Sequence, residues 1–299
     1  MRLQKRFGAL LFALIFLGLL VACRSQQQYI ETPDHRLQWW LADINWSENR
    51  FPYTGRGVRI AVLDSGIDSA HPDLRGRIES EIRVPGLEET LEETDNRMHG
   101  TAVAGIIIAY PNNERGVLGI APDATIISIV ITDDPDGIIE IHNLIDGIYL
   151  AIEEEVDIIN ISAGVREASD DLTEAIQKAY DAGIIIVAAA GNFMDGEILY
   201  PARKDIVLAV GARSRRGEII SPRNYSDVIF LPGENIVTTV LDNGYTGLHG
   251  TSIATPILTG TIALILEANR NISSEQIYRY FLAKGEDYRL DVRRNIFLK

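Results

Sequence analysis

The sequence predicts a single α/β domain of doubly wound architecture, a mostly parallel β-sheet flanked by helices. Three observations predict it. Apolar, β-branched runs recur along the chain, amphipathic stretches of helical length stand between them, and 299 residues at 46% hydrophobic and 23% charged suit one sizeable core or two small ones.

Taken in chain order, LQWWLADINW (residues 37–46) spaces its apolar residues as a helix does, and PYTGRG (52–57) is turn chemistry. The strands follow: VRIAVLD (58–64), ATIISIVI (124–131), VDIINIS (156–162), GIIIVAAAGN (183–192) and DIVLAVGA (205–212). Each is apolar without alternation, the pattern of a parallel strand buried on both faces. Between them, IHNLIDGIYLAIEEE from Ile141 and DDLTEAIQKAYDAG from Asp170 read as helices. In the second, Leu172, Ile176 and Ala179 fall on one face, and Gly183 is placed to end it.

The front of the chain reads separately. Arg2, Lys5 and Arg6 precede an apolar run that lasts until Cys23, the pattern of a secretory signal. LVAC (20–23) resembles the lipobox of bacterial lipoproteins, whose cysteine is acylated and becomes the new N-terminus; a simple anchor with an incidental cysteine is the alternative. Cys23 is the single cysteine of the chain, so the body has no internal disulfide. The division expected is a signal at 1–22, a lipidated cysteine and polar tether at 23–35, and a folded domain at 36–299. The resemblance implies a lipid-anchored protein on the extracytoplasmic face of a bacterial membrane.

The formal charge is −14, and 42 acidic residues face only 25 basic ones once the three before Cys23 are set aside. So acidic a body is repelled by phosphate backbones, which argues against a nucleic-acid partner.

Ligands of doubly wound domains gather beyond the carboxyl ends of the strands, so chemistry-bearing residues should sit there. Asp64 closes the first strand within AVLDSGID. Alone it reads equally as the start of a turn; an aspartyl-phosphate site would want a second aspartate where Gly66 stands. His99 opens the apolar helix HGTAVAGIIIA, with Gly100 leaving room beside the imidazole, and alone it reads as a capping residue. Ser252 begins SIATPILTGTIALILEA, after a Gly250 that permits close approach of a substrate backbone. Its hydroxyl would face the positive end of the helix dipole, or serve only as an N-cap. Asn192 ends AAAGN and is placed to donate to an oxyanion, or is a turn asparagine.

Together these residues carry a resemblance. AVLDSGID with HPDL, HGTAVAGI and GTSIATP, joined by GVLGIAPDATI, IINISAG, AAAGN and YPAR, resemble the subtilisin-like serine proteases from about residue 38 onward. The order Asp, His, Ser is that of subtilisin itself. The resemblance implies an endopeptidase with Ser252 as nucleophile, His99 as general base and acid, Asp64 orienting the imidazole, and Asn192 with the Ser252 amide as oxyanion hole. It makes MHGTAVAGI and LHGTSIATP two parts of one device rather than a repeat, and leaves His249 structural or near the substrate.

It further implies that substrate lies as an added strand against Ser162, Ala163 and Gly164 and against Ala189, Ala190 and Gly191. Acidic Asp195 and Glu197 raise a preference for basic side chains, unless both face solvent. YPNNERGVLG resembles the subtilisin calcium loop, implying structural calcium held by Asp73, the Asn113 side chain and the carbonyls of Pro111, Arg115 and Val117. Met98 and Ala102 depart from the family pattern at positions outside the triad. Only a short tether precedes the domain where secreted subtilases carry an inhibitory pro-domain, so folding is expected to be unaided or assisted by a separate helper or inhibitor. A peptide-binding protein without turnover and a scaffold lipoprotein are the rival readings.

Overall fold

The computed structural model describes residues 37–47, 52–87, 96–110, 116–192, 196–221, 227–283 and 289–296. Seven strands build one parallel sheet: β1 (Arg59–Asp64), β2 (Ile78–Arg83), β3 (Thr125–Val130), β4 (Ile158–Ile161), β5 (Ile185–Ala189), β6 (Leu208–Arg213) and β7 (Val228–Pro232). Their order is β2-β3-β1-β4-β5-β6-β7, and β8 (Ile236–Val240) with β9 (Gly244–Leu248) forms a separate antiparallel hairpin. The helices are α1 (Trp39–Asp43), α2 (Met98–Ile108), α3 (Ile141–Glu153), α4 (Asp170–Asp181), α5 (Thr251–Ala268), α6 (Ser274–Leu282) and α7 (Val292–Asn295).

The absence of alternation in the strands has a direct cause. Ile60 and Val62 of β1 pack into one core with α2, α5 and α6, while Ala61 and Leu63 pack into a second core with α3 and α4. Both faces of the sheet are covered, so both must be apolar. Helix α5 is apolar almost all round, and its length and composition would suffice to cross a membrane. It is instead a core helix, buried from Ile253 through Ile265.

Strand order positions the site. From β1 the chain turns to β2 and β3 on one side, then crosses to β4 and beyond on the other. The carboxyl end of β1 is thus the point where the winding reverses, the place such sheets open a crevice. Asp64 stands there, level with Val130 of β3, while Leu63 is level with Ile161 of β4.

Several expectations need correction in extent. The helix expected over 37–46 is only the five residues of α1, and the strands begin one to three residues inside their apolar runs. Helix α4 matches its pattern: the Ser169 side chain caps it by accepting from Leu172 N–H at 3.0 Å, and Gly183 follows with φ +83°. Three features gave no clear signal. Strand β2 is an edge strand, IESEIR, with no residue fully buried, β7 is the other edge and ends on Pro232, and the β8–β9 hairpin lies apart from the main sheet. The signal, Cys23 and the tether lie outside the described residues.

Candidate active site

Asp64 is 4% exposed, and a carboxylate so enclosed requires partners. It has them from two directions. Its Oδ1 accepts from the Ser65 N–H at 2.8 Å, and His99 Nδ1 lies 2.9 Å from Oδ1 and 3.0 Å from Oδ2. With Nδ1 facing a carboxylate, the ring carries its hydrogen there and turns Nε2 toward the open side.

What lets His99 reach Asp64 is the residue after it. A Cβ placed on Gly100 would lie 2.2 Å from the Gly66 carbonyl oxygen and 3.3 Å from Asp64 Cβ. The first turn of α2 therefore rests on the backbone that follows β1, at a separation only glycine allows. The sequence reading assigned that room to the imidazole; it belongs to the Gly66 peptide. Thr101 fastens the same junction, its Oγ1 accepting from Asp68 N–H at 2.9 Å while donating to the Arg97 carbonyl at 2.7 Å.

Packing of the imidazole against the protein opposes its charge, and the charge and hydrogen bond of Asp64 outweigh that opposition. The His99 pKa is raised as a result.

Ser252 is the second residue of α5, after Gly250 at the N-cap with φ +124°. The first N–H groups of a helix lack intrahelical acceptors, and here they divide unequally. Thr251 N–H donates to Asn192 Oδ1 at 2.9 Å, and Ile253 and Ala254 donate to the Gly250 carbonyl at 3.3 and 3.2 Å. The Ser252 N–H has no acceptor among the described residues. The bond from Thr251 also fixes the Asn192 amide, since its oxygen is held and its Nδ2 is left to donate outward. Gly250 is tight against that amide, a Cβ there falling 3.1 Å from Asn192 Nδ2. The close approach that the sequence suggested for a substrate at Gly250 is made by Asn192. Pro256 within α5 has no N–H for the Ser252 carbonyl four residues earlier.

Asp64 and His99 thus meet at the end of β1, Asn192 meets the first turn of α5, and α5 packs against α2, the helix that carries His99. Thr251, Ser65 and Thr101 were not singled out from sequence. Thr251 had a visible signal, standing beside the candidate serine in GTS; its Oγ1 accepts from Gly191 N–H at 3.2 Å.

Ala190 and Gly191 are already committed. Ala190 N–H donates to the Val210 carbonyl at 2.9 Å and its carbonyl accepts from Leu199 N–H at 3.0 Å. With Gly191 N–H held by Thr251, Ala189, Ala190 and Gly191 present a wall instead of the pairing edge expected. Ser162 is buried and accepts from Asn160 Nδ2 at 3.0 Å, whereas the main chains of Ala163 and Gly164 make no hydrogen bond among the described residues. Glu197 faces Arg166 at 2.7 Å and Arg203 at 4.0 Å, so its charge is answered from within the chain. That removes the basis for a basic-side-chain preference at Glu197; Asp195 lies outside the described residues. His249 accepts at Nδ1 from Asn235 N–H at 3.2 Å, a turn-holding role.

Of the calcium set, Asp73 and Val117 are described and Pro111, Asn113 and Arg115 are not. Asp73 is 2% exposed; its Oδ2 accepts from Val117 N–H at 2.9 Å and Tyr245 O–H at 3.0 Å. Oδ1 and the buried Val117 carbonyl accept no hydrogen bond among the described residues, which fits a site of one carboxylate and several carbonyls. No cluster of three or more His, Cys, Asp or Glu occurs among the described residues, and a carbonyl-built site would not form one. Gln38, not foreseen, brackets the loop by bonding both the Leu118 N–H and carbonyl at 2.9 Å.

Fold and constellation define a serine hydrolase of the α/β type. The sequence profile of the subtilase family matches residues 55–291, and the chain belongs to that family. It is 37% identical to the intracellular serine protease of Paenibacillus polymyxa over 275 residues, covering 87% of this chain and 82% of the relative. The major intracellular serine protease of Bacillus subtilis (strain 168) is 35% identical over 253 residues, 81% of this chain and 77% of that one. Subtilisin E of the same organism is 39% identical over 232 residues, 75% of this chain and 59% of its own length. The chain is a subtilisin-type serine endopeptidase.

The Asp64 contact sets a titration. Because the folded His99 pKa is above the ordinary value of about 6.5, the stability this pair contributes is fully present below that pH. It is lost as pH rises through the folded value. An NMR titration of the His99 ring is expected to give a midpoint above that of a free histidine, and Asp64→Asn is expected to lower it. A midpoint unmoved by Asp64→Asn would show that the carboxylate does not govern the ring.

Proposed function

We propose that Ser252 is the nucleophile of this peptidase, His99 its general base and then acid, and Asp64 the group that orients His99 and stabilises its charged form. The carrying observation is the Asp64 carboxylate against His99 Nδ1, with the unclaimed Ser252 N–H and the fixed Asn192 amide at the start of α5, the helix packed against α2. In this reading His99 Nε2 takes the Ser252 proton as Oγ attacks the scissile carbonyl, and the developing oxyanion is met by the Ser252 N–H and Asn192 Nδ2. His99 then returns the proton to the leaving amine, and water resolves the acyl-enzyme by the same steps. The protein or peptide substrate pairs with the free main chain at Ala163 and Gly164.

A fluorophosphonate probe is expected to label the full-length protein and not Ser252→Ala. Asn192→Ala is expected to keep labelling but lose ~10²–10³-fold in kcat, a magnitude established on subtilisin itself. A folded wild type that stays unlabelled favours a peptide binder instead.

The anchor is a second element of the proposal. The basic residues 2, 5 and 6, the apolar run and LVAC support cleavage before Cys23, its acylation, and attachment to the extracytoplasmic face of a bacterial membrane. Two of the relatives are named intracellular proteases, so this localisation rests on the first 23 residues alone. In a bacterial host, metabolic labelling with an alkyne fatty acid is expected to mark the wild type, while Cys23→Ala accumulates as an unlabelled precursor. Equal labelling of both would remove the anchor.

Calcium is proposed as a structural ion held by the Asp73 carboxylate and the Val117 carbonyl, with Asn113 and the carbonyls of Pro111 and Arg115. When bound it supplies no chemistry, only a charge that ties residues 111–117 to Asp73. His71 belongs to the same support: burial pushes its pKa down, its Nδ1 accepts from Asp73 N–H at 3.2 Å, and Nε2 donates to the Gly244 carbonyl at 3.2 Å. Chelation is expected to lower the melting temperature and calcium, but not magnesium, to restore it. A melting temperature indifferent to chelation would rule the site out.

A further inference from the structure

The two segments that flank the crevice beyond Ser252 are joined by a third. Leu199 donates its N–H to the Ala190 carbonyl at 3.0 Å, which fixes it to the wall formed by Ala189, Ala190 and Gly191. Its side chain reaches the opposite wall. A Cβ placed on Gly164 would lie 2.8 Å from Leu199 Cβ and 3.3 Å from Leu199 Cδ1. The next residue is held to that wall too, Tyr200 and Val165 exchanging hydrogen bonds of 2.8 and 2.9 Å. Leu199 is buried yet joins neither of the two hydrophobic cores. Its isobutyl group lies in the gap between the walls.

A charged pair also joins the two walls. Arg166 follows one wall, Glu197 follows the other, and they pair at 2.7 Å, with Arg203 adding to Glu197 from 4.0 Å. The gap is therefore filled by Leu199 and its walls are tied together by side chains of the protein itself. A leucine body fills the volume that the side chain of a bound peptide would need, and close-packed walls do not part without cost.

We infer that Leu199, seated between Gly164 and Ala190, is a specificity-determining residue that restricts the enzyme to peptides with a small residue, such as alanine or serine, on the acyl side of the scissile bond. The inference rests on the peptidase reading above and narrows its substrate class. It gives Leu199 no part in the chemistry; exclusion of volume is its whole effect.

The test uses the full-length protein in detergent and a set of peptidyl-4-nitroanilides that differ only in the residue before the anilide. Fluorophosphonate titration first counts working sites. The wild type is expected to favour alanine over phenylalanine by at least ~10-fold in kcat/KM, the discrimination that steric exclusion from an apolar pocket supplies. Leu199→Ala is expected to move that ratio toward phenylalanine by ~10-fold or more. Arg166→Gln cuts the charged pair that ties the walls without touching Leu199, and is expected to move the ratio the same way by less. If Leu199→Ala does not fold, the wild-type ratio and Arg166→Gln decide. A titrated wild type that takes phenylalanine as readily as alanine overturns the inference while leaving the peptidase reading intact. So does a titrated Leu199→Ala with an unchanged ratio. A folded wild type that does not react with the probe sinks both.

Discussion

A carboxylate at the end of a buried strand governs this molecule. Asp64 emerges from β1 with both cores beneath it and must be answered by donors or be neutral. The answer is assembled from two sources, the Ser65 backbone immediately after it and His99, 35 residues on, in the first turn of α2. To bring that helix so close, Gly100 must lie on the Gly66 peptide. The close approach, the turn and the raised histidine pKa are one arrangement seen at three levels.

The opposite side of the crevice follows a different logic. Asn192 stands three residues beyond the end of β5, helix α5 begins at Thr251, and a hydrogen bond joins the two residues. That bond uses the oxygen of the amide and the first N–H of the helix. What remains is the amide's N–H groups and the second N–H of the helix, two sets of donors already oriented in the absence of any ligand. Donors placed in advance need no reorganisation when charge appears, which is why such sites are effective.

The sequence disclosed the residues that bear chemistry and concealed those that set their positions. Asp64, His99, Asn192 and Ser252 were legible because they interrupt apolar runs at the ends of strands and helices, where a polar group has to be explained. The parallel sheet was legible because strands covered on both faces lose alternation. Strand β2 was hidden by its edge position and half-exposed side chains. Contacts between distant segments were hidden more thoroughly. Nothing in NFMDGEILY indicates that Glu197 is paired with Arg166 or that Leu199 lies against Gly164, because both partners are set by how β4 and β5 run side by side. The same neighbourhood pairs the charge of Glu197 within the chain, an outcome the two sequence alternatives did not include.

One closure joins the extremes of the described chain. Val292 N–H donates to the Ile44 carbonyl at 3.0 Å, and Asn45 Nδ2 donates to Asp291 at 3.2 Å. Farther in, the Tyr278 hydroxyl of α6 accepts from Ile186 N–H at 2.7 Å, gripping the strand that leads to Asn192. During synthesis the ribosome delivers Asp64 and His99 long before these late segments. The segment around Ile44 and Asn45 stays unclasped until residues past 290 have emerged. Competence is thereby deferred in time: a nascent chain carries Asp64 and His99 well before the segments that complete the fold around them.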